Sequence, residues 1–233
     1  DNTPPEWTTL PGALDLTLEC SDTDGLAAAQ TLFPVATDNC DSSTSDIIKV
    51  PGLFIAGSTC PQAGSYTNTW TVTDDCGNIS VVYTQTITII DNTAPTFTVP
   101  ADITIYKDAT CGYDASVGIT GDVTDEADNC DTSLDATFTD VVVAGACEGE
   151  QIITRTWTLT DDCGNTTTYD QIIRVEDNTA PTFTVPADIT IYKDATCGYD
   201  ASVGITGDVT DEADNCDTSL DATFTDVVVA GAC

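Results

Sequence analysis

A stretch of 57 residues occurs twice in the sequence without a single difference. Residues 91–147, which begin DNTAPTFTVPADITIYKDATC, are repeated in full at 177–233. An enzyme active site has no physical need of such identity, whereas a chain built from tandem structural units tolerates it. The internal repeat therefore limits the chain to a modular architecture.

Shorter markers extend the repeat through the whole chain. DNTPP at residue 1 corresponds to DNTAP in the later units, and DNCD recurs once in each unit. TWTVTDDCGN in the first unit returns as TWTLTDDCGN in the second. The predicted units are 1–90, a diverged repeat; 91–176, a complete repeat; and 177–233, a copy of 91–147 truncated before its last two strands.

Hydrophobic residues alternate with threonine inside each unit. In SYTNTWTVTDD, Trp70 and Val72 point to one side while Thr69 and Thr71 point to the other. A period of two predicts half-buried β-strands, and Gly, Pro and Asp-Asn clusters separate these strands every 8–12 residues. No helical stripe is evident, and DTDG at 22–25 is expected to form a turn. We predict an all-β chain of tandem immunoglobulin-like β-sandwich domains, elongated and disulfide-stapled.

The charge balance excludes several classes of partner. The chain has 39 acidic and five basic residues, a net charge of −34. We expect no nucleic-acid binding, because phosphate contacts need clustered Lys and Arg, and no membrane insertion, because no apolar run is long enough. The acids are 32 Asp and 7 Glu. Asp favours turns and hard-cation sites over helix interiors, so the bias suggests loops that bind cations.

The cysteine and histidine counts bear on chemistry. Eleven Cys at recurring spacings indicate a disulfide framework made in an oxidising compartment. Zinc is disfavoured, because the chain has no His and no CxxC pair. A Ser or Cys nucleophile would lack its usual base, so we expect no enzyme activity.

The repeated motifs resemble a known family. The DNTAP linker, the DNC loop and the WTxTDDCGN strand-turn, with four Cys per unit, resemble HYR-type and SprB-type repeats of Bacteroidota surface adhesins. The resemblance covers the whole chain. It implies an extracellular, cell-surface stalk of Ig-like repeats exported by the type IX secretion system. It names no ligand, so we expect adjoining repeats as partners and a surface or glycan receptor bound by a tip outside this sequence.

The four cysteines of a unit allow three pairings. In an Ig-like sandwich the DNC loop and the DDCGN turn belong at the N-terminal pole, while the first and third cysteines belong at the opposite pole. This topology favours first-to-third and second-to-fourth pairing within each unit. The predicted bonds are Cys20–Cys60, Cys40–Cys76, Cys111–Cys147, Cys130–Cys163 and Cys197–Cys233, with Cys216 left unpaired.

The same topology gathers acids at the N-terminal pole, where a unit meets the preceding one. No Lys or Arg stands beside these motifs, so their carboxylates would repel each other unless a cation binds. We predict Ca²⁺ at each junction, against the alternative that the acids only cap turns. The candidate ligands are Asp1, Asp38, Asp41, Asp74 and Asp75 in the first unit, Asp91, Asp128, Asp131, Asp161 and Asp162 in the second, and Asp177, Asp214 and Asp217 in the third.

Two other functions compete with the calcium-stabilised adhesin stalk. The first is a subunit of a surface filament or sheath, in which a neighbouring chain donates the strands absent from the third unit. The second is ice binding by the Thr rows at 67–73 and 154–160, although Thr is also the favoured residue on a solvated strand face.

Overall fold

The computed structural model describes residues 2–41 and 46–229. Internal contacts divide the chain into two compact units. The first comprises Asp1–Val99, Val123–Phe138 and Trp157–Tyr169, and the second comprises Pro100–Asp122, Thr139–Thr156 and Asp170–Cys233. These units do not coincide with the three sequence repeats, whose boundaries stay a prediction. Among the described residues, no helix is long and apolar enough to cross a membrane.

The first repeat is built mainly from strands. Its elements are β1 Glu6–Trp7, β2 Leu16–Glu19, α1 Thr23–Gln30, β3 Ala36–Thr37, β4 Ile47–Val50, β5 Ile55–Ala56, β6 Gly64–Val72 and β7 Tyr83–Ile90. The larger sheet has the order β2-β7-β6-β4, with β5 also paired to β6, and β1 and β3 form a separate pair. β2 is parallel to β7, whereas β6 is antiparallel to β4, β5 and β7.

The second repeat has the same plan. Its elements are β8 Thr96–Thr98, β9 Ile103–Tyr106, α2 Val117–Thr120, β10 Thr124–Ala127, β11 Thr137–Ala144, β12 Gln151–Thr160 and β13 Thr166–Glu176. The larger sheet has the order β11-β12-β13-β9, with β9 parallel to β13, and β8 pairs with β10. In the described part of the third repeat, β14 Thr182–Thr184 pairs with β15 Thr210–Ala213, and α3 spans Val203–Thr206.

The alternating residues form the core, as predicted. Trp70 of β6 and Trp157 of β12 are 0% and 1% exposed. Trp70 lies edge-on to Tyr83 of β7, with ring centroids 6.1 Å apart, and Trp157 contacts Phe138 of β11 at 4.9 Å. The all-β, immunoglobulin-like class with disulfides is thus confirmed.

The helix α1 corrects the expectation that residues 22–25 form only a turn. Asp22 caps this helix, because its Oδ1 accepts a hydrogen bond of 2.8 Å from the Gly25 N–H. The AAAQ segment then continues the helix, and Ala29 is buried in the core of the first repeat. Alanine has the highest helix propensity, so local sequence supports the helix once the cap is in place.

A buried glutamine holds the segment just before β2 in the first repeat and just before β9 in the second. Gln171 Nε2 donates to the carbonyl oxygens of Ala101 (3.0 Å) and Thr120 (2.8 Å), and Gln85 at the equivalent position donates to Leu14 (2.7 Å). β2 is parallel to β7 and β9 is parallel to β13, so the two strands of each pair end at the same pole. This is the pole from which the chain enters the next repeat.

An arginine side chain lies in the interior of the second repeat. Arg155 is 2% exposed and forms a bidentate ion pair with Asp140, with both N–O distances 2.8 Å. Its guanidinium also donates to Thr120 Oγ1 (2.8 Å) and to the Ala115 carbonyl (2.7 Å). The first repeat has Asn68 at this position. The two repeats therefore fill the same interior site with different polar groups.

Candidate metal centre at the repeat junction

Three disulfides join consecutive repeats. Cys20–Cys130 and Cys60–Cys163 connect the first repeat to the second, and Cys111–Cys216 connects the second to the third. The Cα–Cα distances are 6.0, 4.5 and 5.0 Å. In each bond, the first or third cysteine of one repeat is joined to the second or fourth cysteine of the next.

The predicted pairing within repeats is therefore wrong for the cysteines whose bonds the structure describes. The bonds that it replaces are Cys20–Cys60, Cys130–Cys163 and Cys111–Cys147, and Cys216, predicted to be unpaired, is bonded to Cys111. Cys40, predicted to pair with Cys76, has a free thiol, as do Cys147 and Cys197. The predicted Cys197–Cys233 bond involves Cys233, which lies outside the described residues.

The reason for this difference lies in the short linker. The Cys20 N–H donates to the Ile90 carbonyl at 2.8 Å, which places the first cysteine beside the start of the DNTAP linker. Asn129, in the DNC loop of the second repeat, donates to Ser21 Oγ of the first repeat at 3.1 Å. The DNC loop thus meets the preceding repeat directly, and a cysteine across the junction is a nearer partner than one in its own repeat.

Asp91 lies at the centre of the first junction. It is 7% exposed, and its Oδ1 accepts a hydrogen bond of 3.2 Å from the Thr93 N–H. Its Oδ2 is buried and has no hydrogen-bond partner among the described residues. A buried carboxylate oxygen in this state is unfavourable unless a proton or a cation binds it.

Asp128 presents a second oxygen of the same kind. Its Oδ1 accepts hydrogen bonds from the N–H groups of Cys130 (2.8 Å) and Asp131 (2.9 Å). Its Oδ2 is buried, again without a partner in the part of the chain that the structure describes. One oxygen therefore caps the DNC turn while the other remains available as a ligand.

The electrostatic environment of Asp91 disfavours its charged form. Burial raises the pKa of Asp91 above its ordinary value, and the negative charges of Asp128, Asp161 and Glu19 raise it further, against the opposing hydrogen bond from Thr93. A divalent cation would reverse this balance, because it attracts the carboxylates that repel each other in its absence.

Asp161 is held by its own turn. Its Oδ1 accepts hydrogen bonds from the N–H groups of Cys163 (2.9 Å) and Asn165 (2.8 Å), and its Oδ2 accepts one from Asn165 Nδ2 (2.8 Å). Asn165 Nδ2 also donates to the Asp91 carbonyl at 3.2 Å. The turn interpretation of the DDCGN motif is confirmed for this residue, and the same turn is attached to the linker.

Asp131 and Asp162 have different environments. Asp131 is 4% exposed, with Oδ1 accepting from the Ser133 N–H (2.8 Å) and Oδ2 from the Asp162 N–H (3.0 Å). Asp131 therefore joins the two loops of this pole. The side chain of Asp162 is exposed, so Asp162 is the least buried of the acids predicted at this junction.

The N-terminal pole of the first repeat has the same turn. Asp38 Oδ1 accepts hydrogen bonds of 2.9 Å from the N–H groups of both Cys40 and Asp41, and its Oδ2 is buried with no partner that the structure describes. The remaining predicted ligands here are Asp74 and Asp75 in the adjacent turn, and Asp1, which lies outside the described residues.

The second junction also brings acids together. Backbone N–H groups of Cys216 and Asp217, and a side-chain hydrogen bond with Asp177, lower the pKa of Asp214. A cavity of about 220 Å³ lies at this junction. Its lining includes Asp177, Asp214, Asp217, Glu148 and Glu150.

Glutamates from the preceding repeat were missed by the sequence-based prediction. Glu19 accepts weak hydrogen bonds of 3.3 and 3.4 Å from the Asn92 N–H, and its charge acts on Asp91. Glu148 and Glu150 reach the cavity at the second junction. A usable signal was present, because Glu19 directly precedes a predicted pole cysteine and Glu148 directly follows one.

The ligand chemistry fits a hard cation. Carboxylate oxygens of Asp91 and Asp161 lie within 4.8 Å of each other, together with Cys163 Sγ, and Asp91 has the same relation to Cys20 and Cys130. These sulfur atoms belong to disulfides, so they are not thiolate ligands. Oxygen donors alone suit Ca²⁺ rather than zinc or copper. Asp91, Asp128 and Asp161, supplemented by Glu19, are the residues that could hold it.

Comparison with known proteins places a family within the second repeat. A HYR-like domain with four cysteines is found at residues 99–175. This range contains Cys111, Cys130, Cys147 and Cys163. No curated protein matches the chain.

Solved structures of low similarity include cadherin fragments. Extracellular domains 1–4 of Drosophila N-cadherin are 14% identical, with a TM-score of 0.31, over 76% of this chain and 50% of that chain. Domains 1–2 of human protocadherin-24 are 13% identical, with a TM-score of 0.29, over 77% of this chain and 100% of that chain. Domains 22–24 of mouse cadherin-23 are 13% identical, with a TM-score of 0.28, over 83% of this chain and 75% of that chain. The chain thus spans about half the length of the N-cadherin fragment.

Proposed function

We propose that the chain is a structural spacer in the stalk of a large adhesin, stiffened at its repeat junctions by Ca²⁺. The HYR-like domain and the disulfides fit an extracellular, adhesion-type repeat protein. The observation that carries the proposal is the buried, unpartnered Oδ2 of Asp91, which lies between two repeats that are also covalently joined. A spacer needs such junctions, because bending between units limits its reach.

Calcium would act on the bending of the junction rather than on its connectivity. Glu19 comes from the first repeat, Asp128 and Asp161 come from the second, and Asp91 belongs to the linker. A cation held by these groups would attract both repeats to the linker. The disulfides would keep the repeats joined when the cation is removed.

Calcium binding can be measured by calorimetric titration of the whole chain, with small-angle X-ray scattering before and after chelation. We expect Asp91→Asn/Asp128→Asn to lose at least one bound Ca²⁺ and to show a smaller change of dimensions on chelation than the wild type, because only the second junction keeps its acids. Asp188→Asn removes the same kind of charge at an exposed position of the third repeat and should behave as the wild type. Equal calcium binding by the wild type and the double variant would contradict the proposed site.

Localisation and receptor belong to the same proposal. We place the chain at the cell surface of a Bacteroidota cell, exported by type IX secretion, on the resemblance of its motifs. The receptor, a surface or a glycan, would be bound by a tip outside this sequence, and the neighbouring repeats would be the partners of this chain.

The Thr rows support a structural role better than ice binding. Thr156 Oγ1 donates to Asp170 Oδ1 at 2.7 Å, and the hydroxyls of Thr160 and Thr166 are hydrogen-bonded at 2.9 Å. Hydroxyls engaged with neighbouring strands are not a free, regular array. A thermal-hysteresis assay of the chain tests this point, and we expect no activity.

The filament completed by strand donation is a second hypothesis. It predicts that chains associate without any covalent bond, because a donated strand is held by backbone hydrogen bonds. Light scattering of the reduced chain tests it, and we expect a monomer.

A further inference from the structure

The disulfides decide how a pulling force crosses the second repeat. Cys130 joins this repeat to the first one, and Cys111 joins it to the third. Only 19 residues separate Cys111 from Cys130 along the chain, whereas the whole repeat has 86 residues. Both bonds lie between described residues, so this connectivity does not depend on where the sequence begins or ends.

The stretch 111–130, which we call the bridging stretch, connects the two junctions. Cys130 lies in the DNC loop, which meets the first repeat. Cys111 lies four residues beyond Lys107, whose N–H donates to the Glu176 carbonyl at the end of β13 at 2.9 Å. The bridging stretch therefore begins beside the end of the last strand, where the chain leaves the repeat, and ends at the preceding repeat.

A chain under tension cannot become longer than its shortest covalent path. From Cys20 this path crosses to Cys130 and runs back along the bridging stretch to Cys111. It then crosses from Cys111 to Cys216 of the third repeat. The bridging stretch contains α2 and β10, whereas the long strands β11, β12 and β13 lie outside it. Tension therefore bypasses the strands that form most of the second repeat.

The second bond of the first junction lies off this path. A route through Cys60–Cys163 is longer by the 40 residues from Cys20 to Cys60 and the 33 residues from Cys130 to Cys163. It becomes the shortest route only when Cys20–Cys130 is absent. The two bonds of one junction therefore differ, because tension loads Cys20–Cys130 and leaves Cys60–Cys163 slack.

Buried side chains hold the bridging stretch to the core of the second repeat. Arg155 donates to Thr120 Oγ1 at 2.8 Å and to the Ala115 carbonyl at 2.7 Å. Gln171 Nε2 donates to the Thr120 carbonyl at 2.8 Å. Arg155 and Gln171 are 2% and 0% exposed, and hydrogen bonds shielded from water are stronger than exposed ones. The loaded segment is thus the one to which the buried polar groups are attached.

We propose that the repeats bear tension along the path through Cys20–Cys130, the bridging stretch and Cys111–Cys216, so that these disulfides limit how far the spacer can be stretched. The bridging stretch extends to about 65 Å at most, against about 290 Å for all 86 residues of the repeat. The inference rests on the proposed spacer function, because a stalk that holds a cell to a surface is pulled along its length. It does not rest on calcium.

The test is single-molecule stretching of the whole chain in EDTA, with a handle at each end. The oxidised wild type should stretch to about 190 Å, because only the segments 1–20, 111–130 and 216–233 lie on the path. Reduction with dithiothreitol should extend it to about 790 Å, the length of all 233 residues. EDTA keeps calcium out of the measurement, so failure of this proposal and failure of the calcium site are separate results.

Two double variants give a matched comparison at the first junction. Cys20→Ser/Cys130→Ser should lengthen the stretched chain by about 250 Å, because the path then includes about 73 more residues. Cys60→Ser/Cys163→Ser removes the other bond and should keep the wild-type length. Peptide mapping of each variant identifies the bonds that remain. Equal lengths of the two variants, or an oxidised wild type that stretches to about 790 Å, would overturn the proposal.

Discussion

Removal of the Cys20–Cys130 bond tests most directly whether the repeats are joined across the junction. With Cys60–Cys163 intact, this bond closes a circuit made of the 40 residues from Cys20 to Cys60 and the 33 from Cys130 to Cys163. The chain-entropy relation gives about 4 kcal/mol for a circuit of about 73 residues. Loss of the remaining bond, with a separation of 103 residues, removes about 5 kcal/mol more.

The assay is urea unfolding of Cys20→Ser/Cys130→Ser, followed by tryptophan fluorescence. Trp70 and Trp157 lie in the cores of the two repeats that the bond joins. With a slope of about 2 kcal/mol per molar urea, the loss of about 4 kcal/mol lowers the midpoint by about 2 M. Cys147→Ser, at a free and exposed thiol, should leave the midpoint unchanged.

Two results would refute this reasoning. One is an unchanged urea midpoint in Cys20→Ser/Cys130→Ser, because it would mean that Cys20 and Cys130 are not bonded in the wild type. The other is a peptide map of the wild type that contains Cys20–Cys60 or Cys130–Cys163, because these bonds would lie within single repeats.

Further predictions concern the core, the junction and a loop. Asp140→Asn should reduce the free energy of unfolding by about 3–5 kcal/mol, because it leaves the buried charge of Arg155 uncompensated; the double variant Arg155→Met/Asp140→Leu should recover most of this loss in thermal melts. Asp91→Asn should raise the melting temperature in EDTA and lower it in calcium, with changes in the free energy of unfolding on the order of 1–3 kcal/mol; shifts of the same sign in both buffers would contradict the metal site. Hydrogen bonds from Thr110 and Gly112 lower the pKa of Asp108 below 3.8, so their contribution is present above that pH and is lost as pH falls through the lowered pKa. An NMR titration of Asp108 measures it, and an unshifted pKa would contradict the capping.

The strands could be predicted from the sequence because their signal is local. Trp70 and Val72 alternate with threonine, and this period decides which face is buried whatever the rest of the chain does. Gln85 and Gln171 could not be predicted in the same way. Their partners include backbone carbonyls about 70 residues away, just before β2 and β9, and such a polar group is favourable inside the core only after the fold exists.

The cysteines show where a correct local inference fails. Sandwich topology places Cys20 at the pole where the first repeat ends, and the structure agrees, because the Cys20 N–H is bonded to the last residue of β7. The pairing depends on a further quantity, the distance across the DNTAP linker, which topology within one repeat does not contain. The same omission hid Glu19, which belongs to the junction although it lies outside every repeated acidic motif.

On the proposed function, the junction would combine a permanent restraint, the disulfides, with a reversible one, the bound cation. Two disulfides at the first junction, Cys20–Cys130 and Cys60–Cys163, leave the two repeats few relative motions. Asp91 lies close to both bonds, and burial and the neighbouring carboxylates disfavour its charged form. Without a cation, repulsion among the acids would be opposed by covalent bonds, so the repeats would stay joined. Chelation should therefore increase bending at the junction without unfolding the repeats. An array whose repeats are held by calcium alone would not show this combination.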